Sequence, residues 1–301
     1  RSEVAMDKML RDPKTILFFV APALLVFLLF IPIPAISSVV LSLTRWDLIG
    51  DPRFVGLQHY IFMALDDYVI QTAFQNTLVF VGLSILLQLP IAFLLANILG
   101  RGLRGRHLFR NIIFLPVTFS SVAVSLMFYF IYHPNVGLLN QALGLIGIES
   151  TFPWLGDPRT ALVSVIFTLA WQWTGYHMVI YLAGISTNDQ DLFDAAKIDG
   201  CSEFQVTRHV IFPLLIPILQ VSTVLITVSS LKSFDQIFVM TSGGPNHASE
   251  VIASHMYTKT FAQLKYGYGS ALSTLLMALC IGATLFINAL YKRGRRKVEV
   301  Q

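Results

Sequence analysis

Polar and aromatic side chains interrupt two long apolar runs of this 301-residue sequence, and their types suit contact with a polyhydroxyl molecule. In one run, four such residues fall within about one and a half helical turns. In the next, serines recur at near-helical spacing. Hydroxyl groups can hydrogen-bond a neutral polyol, and aromatic faces can stack on its CH groups. The residues are Trp171, Gln172, Gly175 and Tyr176, followed by Ser222, Ser229, Ser230 and Ser233.

A purely structural role is the alternative for each of these residues. Serines help helices to pack in lipid, and Trp is common at membrane interfaces. Because the polar residues cluster in two neighbouring runs, we favour a ligand pathway for all of them except Ser222. His177 is expected to be a hydrogen-bonded helix residue rather than a metal ligand, since no second His or Cys stands at ligand spacing.

The segment 188–209 between these two runs is acidic, with a net charge of −3. Thr187, Asn188 or Asp189 could cap a short helix, and Gly200 would end it. Leu192, Phe193 and Ala196 would share one face of that helix, beside the small pair Ala195–Ala196. The segment is either a solvated connector or a knob shaped for close approach by another protein, and the small residues favour the knob.

The elements that carry these residues are membrane spans. Hydrophobic residues make up 55% of the chain and charged residues 13%, and the mean hydropathy is +0.67. A water-soluble domain of this size does not tolerate such a composition, and the scarcity of Cys excludes a disulfide-rich scaffold. Six apolar runs are long enough to cross a bilayer, and none contains Asp, Glu, Lys or Arg. They cover residues 16–43, 77–99, 112–132, 161–185, 211–231 and 269–291.

The basic residues predict how these spans are oriented. Of the 21 Lys and Arg residues, 15 lie before the first run, between the second and third, between the fourth and fifth, or after the sixth. The positive-inside rule therefore places both termini in the cytoplasm. The predicted domains are a cytoplasmic arm (1–15), a six-span membrane domain (16–291) with a cytoplasmic helix near 188–201, and a basic tail (292–301). The first run is expected to be retained, and Cys201 and Cys280 are expected to form no disulfide.

Prolines within or at the ends of the spans predict kinks, because each removes a backbone donor. Two external segments, 133–159 and 241–268, contain short amphipathic stretches at 136–145 and 249–264. The basic residues form no single stripe, so we expect no nucleic-acid partner. The prolines are Pro22, Pro32, Pro34, Pro90, Pro116, Pro213 and Pro217.

Several spaced motifs resemble those of bacterial ABC importer permeases, in the carbohydrate-uptake branch that includes the maltose and glycerol-3-phosphate permeases. The main one is the EAA-like run from Asp194 to Phe204, DAAKIDGCSEF, followed by IFPLLIP from Ile211 to Pro217. Asp194 replaces the usual Glu, and Cys201 replaces the usual Ala. Further matches are Phe54–Leu57 with Tyr60, Asn76–Thr77, Leu103–Arg106, Phe114–Pro116, Gly137–Asn140, Trp154–Gly156, Tyr181–Gly184 and Thr241–Pro245.

The resemblance implies an all-α type I permease in the bacterial plasma membrane. It implies a homologous second permease subunit, two ATPase subunits that use ATP and Mg, and an external binding protein that delivers a sugar. The chain itself would bind no cofactor, and it has no G-x-x-x-x-G-K-[ST] motif. The external segments would dock the binding protein and form part of the external gate. The implied ATPase-coupling residues are Asp194, Ala195, Ala196, Lys197, Asp199, Gly200 and Phe204.

Three alternatives compete with a sugar importer. An ion-coupled secondary transporter usually needs a carboxylate inside a span, and an intramembrane enzyme needs converging acid, base or metal groups. Neither is found in the six runs. The third alternative is an ABC permease for a phosphorylated polyol. Lys232 lies just past the fifth run and could reach an anionic head group, whereas the uncharged spans favour a neutral sugar.

Overall fold

A computed structural model describes residues 13–100, 105–148, 151–186, 196 and 199–298. The described chain is mainly helical, as the composition predicts. A short antiparallel pair of strands, β1 (Thr44–Arg45) and β2 (Arg53–Phe54), was not predicted. The helices are α1 Pro13–Phe30, α2 Pro32–Ser42, α3 Gln58–Leu65, α4 Tyr68–Gly100, α5 Arg106–Phe114, α6 Ser121–Ile131, α7 Leu138–Leu145, α8 Ala161–Ser186, α9 Glu203–Val206, α10 Phe212–Leu231, α11 Asp235–Met240, α12 Ile252–Tyr257 and α13 Tyr266–Val298.

Four helical segments are long and apolar enough to cross a membrane within the described ranges, and they match the first, second, fifth and sixth predicted runs. The first joins α1 and α2, which meet at Ile31 before Pro32, where a kink was expected. The second is α4, whose 33 residues extend about 50 Å. The segments are Leu17–Ser42, Tyr68–Gly100, Glu203–Leu231 and Tyr266–Arg293.

The third predicted run, 112–132, forms a broken rather than a continuous helix, and a kink was expected there at Pro116. Helix α5 ends at Phe114, a 3-10 turn covers Leu115–Thr118, and α6 leaves at 98° to the preceding segment. Pro116 has no amide hydrogen to continue the helix. Phe119 (φ −85°, ψ 148°) and Ser120 (φ −59°, ψ 138°) are extended, which redirects the chain.

The fourth predicted run forms α8, a helix of 26 residues that lies inside the bundle. It packs along α4 and also contacts α5, α6, α10 and α11. Its polar residues keep it below the hydropathy of the four apolar segments above. Since most of α8 is buried against protein, those polar groups can pair with neighbouring chain rather than face lipid.

Contacts divide the chain into two compact units. One comprises residues up to 62 together with 258–275, and the other comprises 63–257 with 276–301. In the first unit, the start of α13 lies tightly against β1: an added Cβ at Gly267 would be 2.0 Å from the Thr44 oxygen. In the second, side chains of α4, α8 and α10 form the main apolar core. Its buried members are Ala92, Ala96, Leu99, Met178, Tyr181, Ile185, Val206, Ile211, Leu215 and Leu219.

The two predicted amphipathic stretches are helical over part of their length. The stretch 136–145 forms α7, which begins at Leu138. The stretch 249–264 forms α12 and then a π-helical turn, Thr258–Ala262.

Candidate functional site

The predicted ATPase-coupling segment is described only in part. Asp194, Ala195 and Lys197 lie outside the described residues. Ala196 is half-buried and packs against the apolar core of α4, α8 and α10. Phe204 is 70% exposed at the start of α9. The segment therefore offers an anchored residue and an exposed aromatic ring a few residues apart.

Gly200 lies at a sharp change of chain direction. Its φ is +77°, in the left-handed region that glycine adopts at low cost. The Cys201 amide donates to the Ala196 oxygen at 3.1 Å, a hydrogen bond typical of a helix C-terminus that ends in a left-handed glycine. An added Cβ at Gly200 would meet no atom within 4 Å, so only backbone strain opposes a larger residue.

The chain after Gly200 is fixed by a cap and by a cross-link to α4. Ser202 caps α9: its Oγ accepts from the Gln205 amide, and its own amide donates to Gln205 Oε1 at 2.7 Å. Asn97 Nδ2 then donates to Thr207 Oγ1 at 3.1 Å. This hydrogen bond ties the chain just before α10 to the end of α4.

Gln172, a predicted pathway residue, is fully buried and forms hydrogen bonds within the protein. Its Nε2 donates to the Phe119 oxygen at 3.0 Å, and its Oε1 accepts from Gln236 Nε2 at 2.8 Å. The side chain links α8 to α11 and to the break between α5 and α6. Gln236 was missed in the sequence, because nothing local pairs two glutamines 64 residues apart.

Gly175 allows α8 and α5 to approach closely. An added Cβ would lie 2.2 Å from the Ile113 oxygen and 2.9 Å from its carbonyl carbon. Both atoms are backbone, so a larger residue would push the helices apart. The structure therefore gives Gly175 a packing function.

Trp171 and Tyr176 are the accessible members of the α8 cluster, 46% and 36% exposed. Trp171 packs edge-on against Phe128 at 5.1 Å and lines a cavity of about 470 Å³ between α4, α5 and α8. The cavity walls are mainly apolar, so this cavity offers a stacking surface with few hydrogen-bonding groups.

The serines of α10 also divide by exposure. Ser229 is exposed and continues a stripe with Val221 and Leu225 at a spacing of four residues. Ser233, just after the helix, is half-buried. Ser222 and Ser230 are buried, and the Ser230 Oγ has no hydrogen-bond partner in the described chain. None of these serines lines the cavity at Trp171, so the structure does not bring the two predicted groups into one cavity.

His177 is 4% exposed, and its Nδ1 has no hydrogen-bond partner among the described residues. The expected hydrogen-bonded role is therefore not seen at this nitrogen. No group of three or more described His, Cys, Asp or Glu residues could hold a metal ion.

The segments 133–159 and 241–268, which are predicted to be external, meet around a cleft of about 670 Å³. The motifs Trp154–Gly156 and Thr241–Pro245 both contribute to its lining, together with Tyr129 and His133. The Trp154 Nε1 donates to Asn140 Oδ1 at 2.8 Å, which ties the first segment into a fixed shape. The cleft thus combines motifs that are far apart in the sequence.

A buried acid–histidine network was not predicted. His255 Nδ1 contacts Glu250 Oε1 at 2.8 Å, and its Nε2 contacts Asp67 Oδ2 at 3.4 Å. His247 Nδ1 contacts the other oxygen of Glu250. The His255 ring thus lies between two carboxylates, with one at each ring nitrogen. Asp67 and His255 are 188 residues apart, so the sequence gives no local sign of their contact. Glu250 and His247, in contrast, are near neighbours in the sequence.

The network holds the chain between α11 and α12 against the start of α4. Asp67 Oδ1 accepts from the Val69 and Ile70 amides. Asn76 Nδ2 donates to the backbone carbonyl oxygen of Glu250 at 2.9 Å. Burial raises the pKa of the Glu250 carboxyl, but hydrogen bonds from His255 and His247 and the charges of these rings outweigh burial. The resulting pKa of Glu250 lies below its ordinary value.

Several long apolar helices are typical of a multi-pass membrane protein. A family model for the inner membrane component of binding-protein-dependent transport systems matches residues 88–297. The chain belongs to this family, and it is a transport permease subunit rather than an enzyme. Membership decides against an ion-coupled secondary transporter and an intramembrane enzyme.

Curated relatives align over nearly the whole chain. A probable ABC transporter permease from Bacillus subtilis is 35% identical and covers 93% of this chain and 96% of its own. The lactose transport system permease of Rhizobium radiobacter is 32% identical, covering 92% and 94%. The trehalose/maltose transport system permease of Thermococcus litoralis is 32% identical, covering 91% and 92%.

A solved structure shares the fold. In a bacterial ABC transporter that imports the acidic polysaccharide alginate, one chain superposes with a TM-score of 0.82 at 23% identity, covering 96% of this chain and 98% of that one. The same transporter bound to an alginate-loaded periplasmic protein gives a TM-score of 0.83, with 95% and 96% covered. The type I ABC permease fold expected from the motifs is therefore the fold of this chain.

Proposed function

We propose that this chain is one of two homologous permease subunits of an ATP-driven importer in the bacterial plasma membrane. An external binding protein delivers a neutral mono- or oligosaccharide, and two separate ATPase subunits use ATP and Mg to drive transport. The named substrates of the curated relatives, lactose and trehalose/maltose, support a sugar.

The observation that carries this proposal is how the predicted pathway residues divide. Trp171, Tyr176 and Ser229 are exposed, while Gln172 and Ser230 are buried behind them. In this proposal the exposed aromatic and hydroxyl groups belong to this chain's side of a pathway, although they do not share one cavity within the chain. A homologous second subunit would supply the opposite wall.

The test is transport by the purified complex in proteoliposomes. Uptake of a radiolabelled disaccharide should require ATP on the ATPase side and the loaded binding protein on the other. Omitting either should abolish uptake. Uptake driven by an ion gradient without ATP would contradict the proposal.

We propose six spans with both termini in the cytoplasm. The bent pair α5–α6 would be the third span and α8 the fourth. Cys201 is an exposed free thiol on the predicted cytoplasmic side, and Asn246 is exposed in the predicted external loop. An impermeant maleimide should label Asn246→Cys in intact cells and Cys201 only after lysis. The reverse pattern would refute the orientation.

The proposed ATPase contact comprises Asp194, Ala195, Ala196, Lys197, Asp199, Gly200 and Phe204. Within it, Asp194 or Asp199 would pair with a cation of the ATPase, and the alanines would permit close packing. Gly200→Val forces a β-branched residue into the left-handed region, at a cost of at least about 1–2 kcal/mol. It should uncouple ATP hydrolysis from uptake.

Gly147 offers a matched control for this substitution. It has a φ of +83° with no atom within 4 Å of an added Cβ, but it lies in the predicted external loop. Gly147→Val should keep the ratio of sugar uptake to ATP hydrolysis. Normal coupling in Gly200→Val, at equal membrane abundance, would remove this loop from the proposal.

Lys232 separates a neutral sugar from a phosphorylated polyol. It is exposed at the end of α10, where it could meet an anionic head group. If the substrate is neutral, Lys232→Gln should preserve most uptake. Loss of uptake confined to an anionic substrate would favour the phosphorylated polyol.

A further inference from the structure

A cavity of about 450 Å³ in the smaller unit combines cations with aromatic rings. Its cations come from β1 and from the chain between α12 and α13. Its aromatic rings come from the residue after β1, from α3 and from the start of α13. The function proposed above gives this cavity no role. The lining residues are Arg45, Trp46, Asp47, Gln58, His59, Phe62, Lys259, Lys265 and Tyr268.

The positive charge of this cavity exceeds its negative charge. Arg45, Lys259 and Lys265 form no ion pair with any described residue, and Asp47 is the cavity's acidic residue. Counting its Arg, Lys and Asp residues, the lining carries a net charge of +2. Three cations around one cavity repel one another, and a bound anion would reduce that repulsion.

Backbone hydrogen bonds hold the cavity wall in place. The Lys265 amide donates to the Lys259 oxygen at 2.9 Å, which fixes the two lysines near each other. His59 Nε2 donates to the Thr44 oxygen at 3.0 Å, next to Arg45. The Gly267 amide donates to the Trp46 oxygen at 3.1 Å. Hydrogen bonds therefore join the backbone segments that carry these cations.

The cavity lies at the level where two apolar segments end. The first candidate span ends at Ser42 and the last begins at Tyr266, so the cavity residues follow one span and flank the other. Trp46 and Tyr268 are of the types that favour the boundary between lipid and water. Along Leu17–Ser42 the apolar side chains are exposed rather than packed inside the unit.

We propose that this cavity binds the phosphate of an anionic membrane phospholipid. The phosphodiester would lie among Arg45, Lys259 and Lys265, where charge-assisted hydrogen bonds are strongest. The acyl chains would cover exposed apolar side chains of the flanking helix. A lipid fits better than a free anion because it supplies apolar chains as well as charge at this depth. The proposal requires membrane insertion, which the family shows, and is independent of the substrate.

The test measures lipid retained by the intact permease–ATPase complex, using native mass spectrometry with phosphatidylglycerol and phosphatidylcholine as probes. Lys259→Gln/Lys265→Gln should lower phosphatidylglycerol affinity by roughly twentyfold to thirtyfold, from about fivefold for each cation near a membrane surface. Phosphatidylcholine binding should be unchanged. Arg159→Gln/Lys232→Gln removes two cations outside the cavity and should keep phosphatidylglycerol affinity.

Several outcomes would overturn the proposal. Equal losses in both double variants would mean that total charge, not this cavity, attracts the lipid. Complete displacement of phosphatidylglycerol by millimolar inorganic phosphate would indicate a free-anion site. Unchanged lipid affinity in Lys259→Gln/Lys265→Gln, with weaker capture of the binding protein, would assign the cavity to an acidic group of that protein. Equal thermal unfolding midpoints in lipid-free detergent would establish that the variants fold.

Discussion

The first candidate span and helix α8 are both long enough to cross a bilayer, but they are built in opposite ways. Leu17–Ser42 is strongly apolar, and its most apolar stretch has no buried residue. Helix α8 is buried along most of its length and contains Gln172, Thr174 and His177 among its buried residues. The first interacts with its surroundings through uniform hydrophobicity, and the second through specific contacts.

This difference shows where specificity resides in the bundle. An exposed apolar helix tolerates many sequences, since one methylene group meets lipid much as another does. A buried helix must satisfy each polar group and accommodate each close approach. Substitutions in α8 should therefore have large, position-specific effects, and those in the first span should not.

Gly175→Ala should have the largest effect on stability. The new methyl group would collide with the Ile113 backbone, at a cost near or above the upper end of the about 1–3 kcal/mol typical of overpacking. The measurement is thermal unfolding of the purified protein in detergent. As the matched control, Gly82→Ala in α4 has no atom within 4 Å of its added Cβ and should retain the parent midpoint. Equal midpoints for both variants would show that α5 and α8 do not pack as described.

Removing the Gln172–Gln236 hydrogen bond should have the next largest effect. Either Gln172→Leu or Gln236→Leu leaves a buried amide without its partner, at a cost of about 1–3 kcal/mol. The double variant should cost less than the two single losses added together. A double-mutant cycle on unfolding free energy measures this coupling, and strict additivity would mean that the two side chains do not interact.

Replacing exposed aromatic residues should distinguish a pathway surface from a lipid-facing one. Trp171→Leu removes a stacking face from α8 and should lower sugar uptake by up to about tenfold, as expected from the energy of aromatic contacts. Phe19→Leu changes a residue that is 74% exposed on α1 and should leave uptake unchanged. Initial uptake rates at equal protein abundance provide the comparison. Similar rates for Trp171→Leu and the parent would remove Trp171 from the pathway.

The smallest effect should be a pH dependence at the network of Asp67, Glu250 and His255. Because the Glu250 pKa is lowered in the folded protein, its ionised form adds stability above the ordinary carboxyl pKa. That stability is lost as the pH falls through the folded-state value. Thermal unfolding between pH 7 and pH 3 should show a smaller acid-induced loss in Glu250→Gln. The neutral Gln172–Gln236 pair provides the control, since its coupling should not change with pH.

Much of the architecture could be predicted from the sequence because it depends on local composition. Runs of about 20 apolar residues locate helices without any knowledge of their neighbours, and four of the six matched apolar spanning segments directly. Gly200 was identified as a helix stop by its residue type, and its φ of +77° has that geometry. The spaced motifs predicted the family that residues 88–297 match.

The tertiary structure alone decided which polar residues are accessible. Trp171 and Gln172 are neighbours in the sequence, yet one is exposed and the other fully buried, because α4, α5 and α11 surround α8 unequally. The 98° bend after α5 likewise depends on extended residues that one proline does not specify. Asp67 and His255 meet across a long stretch of chain, and Arg45 and Lys259, also far apart in the sequence, line one cavity. Local periodicity carries no information about such distant contacts, so folding itself determines these sites.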